Sequence, residues 1–204
     1  MLKDSRKIAA ILAADIVGYS RLMGVDETGT LHALKVRRAI FDRLVKEFDG
    51  QEFGSVGDSL MAQFPSAINA VRCAQAIQHA IAVENAPLAA DRHMALRIGV
   101  NLGDVIEENG ALFGNGVNIA ARLQALATPG GILVSASVYE QVRKELSATF
   151  TFIGERQVKN ITEPVACYRV TEPVAASFAR RLAALLQRRV VITAAAYVFS
   201  SWLI

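Results

Sequence analysis

An α+β fold is expected, with a ferredoxin-like βαββαβ core followed by a C-terminal extension of helices and strands. Three observations predict it. Residues Glu52–Phe64 read as a β-hairpin: Phe53 and Val56 suit a strand, Gly57-Asp58 suits a tight turn, and Leu60, Ala62 and Phe64 alternate after it. Ile8–Ile16 is apolar throughout except for Asp15, the pattern of a central strand buried on both faces. Two segments of helical periodicity follow these strands in the order that the core requires.

Taken in order, Ile8–Ile16 is the first strand, and Val17-Gly18-Tyr19-Ser20 turns the chain. Asp26–Phe48 is a helix whose stripe is Leu34, Phe41, Leu44, Val45 and Phe48, with Asp26 and Glu27 at its positive end. Asp49-Gly50 stops it and the hairpin begins. Pro65 and Ser66 open a second helix with Ala67, Val71, Ala74, Ile77 and Ile81 on one face, and Asn85–Arg92 is a loop. Met94–Glu107 is one strand, or two that meet at Gly103-Asp104. Beyond the core, a helix over Gly114–Ala127, a strand at Ile132–Val134, a helix over Ser135–Leu146 and strands at Thr149–Ile153 and Val165–Val170 complete a domain of residues 1–170. Helices are expected on one face of the four-stranded core.

The bulk composition narrows the function classes. The chain has 204 residues, 52% of them hydrophobic, with 22 basic and 19 acidic side chains for a net charge of +3. That balance, with no dense Lys/Arg stripe among aromatics, argues against a nucleic-acid partner. Cys73 and Cys167 have no metal-ligand spacing and read as free buried thiols of a reducing compartment. The basic start and its short apolar run merge into strand-like sequence and do not read as a signal peptide.

The chemistry concentrates on Asp15 and Asp58. An acid at the end of a buried strand is costly unless something positive meets it. Asp58 read alone is an ordinary turn residue. In this topology strands one and three are neighbours, so the two carboxylates can converge, and such a pair can hold two divalent ions for an in-line phosphoryl displacement. Gly18, Tyr19 and Ser20 follow Asp15 before a helix, where backbone N–H groups could receive phosphate oxygens. Asn118 and Arg122, four apart on a helix, share a face that suits a ribose and a phosphate, or that is merely a solvated cap and ion pair.

Five segments carry a family likeness: Ala-Ala-Asp15-Ile-Val-Gly-Tyr-Ser, Val-Gly-Asp58-Ser-Leu-Met, Leu-Arg-Ile-Gly-Val-Asn-Leu-Gly-Asp104, Gly-Asn-Gly-Val-Asn118-Ile-Ala-Ala-Arg122, and Gly-Glu-Arg-Gln-Val-Lys159-Asn-Ile with Glu-Pro-Val-Ala-Cys-Tyr168 after it. In this order they resemble the class III adenylate/guanylate cyclase catalytic domain, over residues 6–170. The resemblance implies the nucleotide cyclase fold and cyclic AMP formation from ATP, with two Mg²⁺ or Mn²⁺ ions per active site. It implies Asp15, Asp58 and the Ile16 carbonyl as metal ligands. Asn118 would orient the ribose and Arg122 would meet the α-phosphate, both from the second protomer of a head-to-tail homodimer. Arg97 and Lys159 would contact the outer phosphates. Two positions depart from the family: Gly54 stands where adenine-selecting members carry Lys, and Ala111 where they carry Asp or a small hydroxyl residue. Base choice, ATP or GTP, is thereby left open, as is a non-catalytic nucleotide-binding or dimerisation module. The Gly-Gly-Asp/Glu-Glu-Phe hairpin of the diguanylate cyclases is absent from residues 52–64.

Residues 171–177 read as a linker, and Phe178–Arg189 as a basic amphipathic helix. Val190–Ile204 is apolar but shorter than the roughly 20 residues that cross a bilayer. Arg188-Arg189 and Trp202 suit a membrane interface; packing on the domain or a partner is the alternative. The expected placement is a cytoplasmic catalytic domain held at the inner face of the cell membrane.

Overall fold

β1 (Ser5–Ile16) is the strand around which the sheet is laid down. Successive side chains of a strand point to opposite faces, and here both faces are apolar. Ala10, Leu12, Ala14 and Ile16 join one core; Ala9, Ile11 and Ala13 join another; none is more than 5% exposed. The computed structural model describes residues 5–157 and 164–171. Lys159, the expected linker beyond Thr171 and the C-terminal helix and apolar segment lie outside them.

After β1 come α1 (Tyr19–Val25), α2 (Glu27–Glu47), β2 (Gln51–Val56), β3 (Ser59–Phe64), α3 (Ala67–Asn85) and β4 (Leu96–Glu108). Then follow β5 (Ala111–Phe113), α4 (Asn115–Leu126), β6 (Ile132–Ser135), α5 (Ala136–Val142), β7 (Thr149–Arg156) and β8 (Val165–Thr171). The sheet order is β2-β3-β1-β4-β6-β8-β7, with β5 paired to β4. Its first four strands are the expected βαββαβ arrangement. The β4–β6 pair is parallel and the other pairs are antiparallel.

Local chemistry sets the element ends. Asp26 caps α2 by accepting from Gly29 N at 2.9 Å, and Ser66 caps α3 by accepting from Asn69 N at 3.4 Å. Three elements differ from expectation. Tyr19 and Ser20 do not form a simple turn but open α1, whose buried residue is Leu22. Met94–Glu107 resolves into one strand that starts at Leu96, and it continues through Asn109-Gly110, both at positive φ, into β5. The helix expected over Ser135–Leu146 is shorter, ending at Val142.

Helices α2 and α3 pack one face of the sheet through Phe41, Leu44, Val45, Val71, Ala74 and Ile77, as expected for the core. Arg37 lies within the apolar stripe of α2 and is itself buried. Its Nη2 donates to Asn85 Oδ1 at 3.0 Å, and Asn85 Nδ2 donates to the Met94 carbonyl at 3.0 Å. The pair ties two helices to the start of β4 without an apolar contact.

The opposite face is covered by α4, through Val117 and Ala120 against Ala9, Ile11, Ala13 and Val105. Gly99 of β4 makes this approach close: a Cβ there would stand 2.3 Å from the Ala120 carbonyl oxygen and 2.2 Å from Gln124 N. Both are backbone atoms of α4, so neither can swing aside. Gly99→Ala is therefore expected to destabilise the fold by about 3 kcal/mol or more, from overpacking; a urea midpoint equal to wild type would contradict this close packing.

Candidate active site

Asp15 lies at the end of β1, directly across from Arg97 of β4 in the antiparallel register. The positive group that a strand-end acid requires is this arginine. Arg97 Nε donates to Asp15 Oδ1 at 3.0 Å and Nη2 to Oδ2 at 2.6 Å, a two-pronged pair. The side chains are 30% exposed for Arg97 and 20% for Asp15, so the pair is half-sheltered from solvent. Arg97 Nη1 also donates to the Ala125 carbonyl in the last turn of α4, at 3.4 Å. The guanidinium is held above its ordinary range, first by the hydrogen bond to Asp15; burial opposes this, and the charges of Asp15 and Asp58 add to it.

Asp58 occupies the hairpin tip. Val56 pairs with Ser59, leaving Gly57 and Asp58 as a two-residue loop in which Gly57 takes the positive φ of 61°. Ala14 pairs with Leu60 across β1 and β3. Continuing that register sets Asp15 against Ser59 and Ile16 against Asp58. The two acids thus share one corner of the sheet, and Arg97 feels the charge of both.

Ile16 buries its side chain at 2% exposure and pairs with Leu96 across β1 and β4. Gly18 is the N-cap of α1, with no side-chain cap, and Tyr19 and Ser20 are the first residues of that helix. The first N–H groups of a helix have no intrahelical acceptor.

Asn118 and Arg122 stand elsewhere. In α4 the buried residues are Gly116, Val117, Ala120, Leu123 and Gln124, so a helix wheel turns positions 118 and 122 directly away from the sheet. Both are exposed, and neither side chain has a hydrogen bond or ion pair among the described residues. The structure therefore unites Asp15, Asp58 and Arg97 and keeps Asn118 and Arg122 on a separate, outward surface.

Gly54 lies in β2 and Ala111 in β5, two strands that are in contact. Gly54 pairs with Met61, and the nearest atom to a Cβ placed there is Met61 Cβ at 4.0 Å, so a side chain has room. Ala111 opens β5 across from Glu108.

A cleft of about 660 Å³ lies away from this corner. It opens at the N-terminal end of α4, beside Asp104, Asn115 and Ser137, and Asp15, Asp58, Arg97, Asn118 and Arg122 do not line it. Neither cysteine is a candidate nucleophile: burial pushes the Cys73 thiol up to about 12 and raises that of Cys167.

Among the described residues no three His, Cys, Asp or Glu side chains gather as a metal cluster. Two carboxylates with a backbone carbonyl fit Mg²⁺ or Mn²⁺ better than a soft metal, since Mg²⁺ takes one or two carboxylates plus substrate phosphates. Sequence reasoning missed the Asp15–Arg97 pair. The signal for it was present: a lone acid and a lone base on strands that the topology makes neighbours.

A family model described as the adenylate and guanylate cyclase catalytic domain matches residues 2–172. A Rhizobium meliloti (strain 1021) protein named "Putative adenylate cyclase 3" is 48% identical over 168 residues, 81% of this chain and 29% of that protein. A pH-sensitive adenylate cyclase of Mycobacterium tuberculosis is 28% identical over 83% of this chain and 42% of its own length. The chain thus spans less than half of either relative. Among solved structures, an adenylate/guanylate cyclase/hydrolase from Silicibacter pomeroyi superposes with a TM-score of 0.79 at 39% identity, covering 84% of this chain and 100% of that one. The adenylyl cyclase CyaB from P. aeruginosa shares the fold, with a TM-score of 0.76 at 23% identity over 84% of this chain and 97% of its own. On the family match, which runs through the whole described sheet, the chain belongs to the adenylate and guanylate cyclase catalytic domain family.

Proposed function

We propose that this chain converts ATP to cyclic AMP and pyrophosphate, as a homodimer with each active site shared between two protomers. The observation that carries the reading is the split of its polar groups. Asp15, Asp58 and Arg97 occupy a sheet corner, whereas Asn118 and Arg122 face away from the sheet, their side chains without a partner among the described residues. A head-to-tail copy would bring the second set to the first.

In this mechanism Asp15, Asp58 and the Ile16 carbonyl hold two Mg²⁺ or Mn²⁺ ions, which supply charge neutralisation to the reacting phosphate. Arg97 exchanges Asp15 for the outer phosphates as these arrive, and Lys159 joins it there. Gly18, Tyr19 and Ser20 direct backbone N–H groups at phosphate oxygens. Asn118 of the second protomer orients the ribose, and its Arg122 meets the charge that develops on the α-phosphate. The ribose 3′-oxygen gives up its proton to solvent water and bonds to the α-phosphorus; the bond from that phosphorus to the bridging oxygen breaks, and pyrophosphate leaves. Purified protein incubated with Mn²⁺ or Mg²⁺ and ATP or GTP tests this directly. Absence of cyclic product and pyrophosphate across all four combinations would overturn it.

A second reading is favoured by Gly54 and Ala111. Without a base-reading side chain at either position, the chain is a cyclase of relaxed or guanine selection, or a non-catalytic module that binds nucleotide or dimerises. A site that hydrogen-bonds a base rejects the wrong one far better than a site that does not. Gly54→Lys combined with Ala111→Asp is therefore expected to raise the ATP-to-GTP ratio of kcat/KM by about tenfold or more. An unchanged ratio in steady-state kinetics would show that selection lies elsewhere.

No helix among the described residues is long and apolar enough to cross a membrane. In the proposed setting the catalytic domain works in the cytoplasm, and segment 178–204 holds it at the inner membrane face. The support is the basic flank Arg188-Arg189 ahead of an apolar run. Flotation of the full chain with anionic vesicles, lost on truncation after Thr171, is the expected result.

A further inference from the structure

The turn that carries Asp58 is held from below by a side chain outside the site. No heavy atom other than its chain neighbours lies within 4 Å of where a Cβ on Gly57 would stand, so no packing holds the tip on that side. β2, the strand leading into it, is the edge strand of the sheet, and its register shifts between Glu52 and Gly54. Edge position and a bulge both loosen the ladder that would otherwise fix the tip.

Arg38 of α2 reaches this turn. Its Nη2 donates to the Gly57 carbonyl oxygen at 2.7 Å. The helix beneath it is anchored by Leu34 and Phe41, both in the main core, so the arginine stem starts from a rigid base. The Gly57 carbonyl and the Asp58 nitrogen belong to one planar peptide unit. Fixing that oxygen therefore fixes the plane from which the Asp58 Cα and its carboxylate depart. A charged donor makes this a strong bond for its size.

We infer that Arg38 is a positioning residue for Asp58, setting the carboxylate where a divalent cation requires it. The inference rests on the reading of Asp58 as a metal ligand. Arg38 touches neither substrate nor cation in this role. Removing it frees the peptide plane, and displacement of a ligand by about 1 Å is enough to cost up to a hundredfold in such sites. The loss falls on metal binding rather than on the chemical step, because saturating metal selects the productive turn conformation from the loosened set.

The test uses the full chain and Mn²⁺ as the probe, with binding followed by electron paramagnetic resonance and initial rates followed against Mn²⁺ at saturating ATP. Arg38→Met, which keeps the stem and removes the donors, is expected to raise the half-saturating Mn²⁺ concentration about tenfold, with kcat at saturating Mn²⁺ within about threefold of wild type. Arg38→Lys, which can still donate to one carbonyl, is expected to recover most of that loss. Should Arg38→Met fail to fold, Arg38→Lys and Arg38→Gln carry the comparison: a metal requirement higher for Gln than for Lys supports the inference, and equal requirements overturn it. Wild-type metal dependence in Arg38→Met, or a fall in Tm without any change in metal dependence, also overturns it. A wild type that binds no Mn²⁺ overturns the metal reading of Asp58 and this inference with it. Wild-type binding that is lost in Asp58→Ala but unchanged in Arg38→Met removes the Arg38 assignment alone.

Discussion

Asp58→Ala is expected to lower cyclic-nucleotide formation by about a thousandfold or more while leaving the fold intact. The two halves of this expectation have different causes. Asp58 sits in a two-residue loop and belongs to none of the three apolar clusters, so its truncation removes no core packing. Surface changes of this kind usually move stability by less than about 0.5 kcal/mol. The carboxylate is, however, one of the two acids that the proposed mechanism uses, and the remaining Asp15 is already paired with Arg97. Electrostatic stabilisation of the reacting phosphate is usually the largest single contribution to such a reaction. Initial rates with Mn²⁺ and ATP, together with a thermal melt, measure both halves. Equal product from wild type and Asp58→Ala, with matching melts, would remove Asp58 from the mechanism.

Arg122→Ala is expected to reduce kcat by about a hundredfold to a thousandfold, the scale seen when one preorganised transition-state donor is lost. Arg122 is exposed and its side chain is unpaired among the described residues, so stability should hold. The sharper result comes from mixing. Asp15→Ala and Arg122→Ala protomers, each nearly silent alone, should regain about a quarter of the wild-type rate when mixed equally, because random pairing makes half the dimers mixed and each mixed dimer keeps one intact site. Sedimentation of each variant must show a dimer for the comparison to hold. Recovery near that level supports sites built from two chains; no recovery between variants that demonstrably exchange would show that Arg122 does not act across the interface. Asp15→Ala carries a second cost, since it leaves the half-sheltered Arg97 without its partner.

Much of the architecture was legible before any coordinates. The apolar run of β1, the stripe of α2 and α3, and the alternation of β3 each repeat with the period of their own backbone, and a period is local information. The turn at Gly57-Asp58 was readable for the same reason: a two-residue hairpin loop needs positive φ, and Gly supplies it. The hairpin at Asn109-Gly110 carries an equally clear local turn signal, a pair of residues that both take positive φ. Helix α1 was not legible. Seven residues bury only Leu22, too little to show a periodic face.

The site divides along the same line. Local pattern by itself determined which side chains carry charge at strand ends and turns, and that positions 118 and 122 share a helix face, since neighbours in sequence decide these. Only the tertiary structure decided that Arg97 grips Asp15, that the shared face of α4 turns away from the sheet, and that Arg38 reaches the turn beneath Asp58. Each of those depends on partners separated by 19 to 82 positions or on which face of a helix is buried. Cross-strand register and helix docking are properties of the assembled sheet, and no window of consecutive residues contains them.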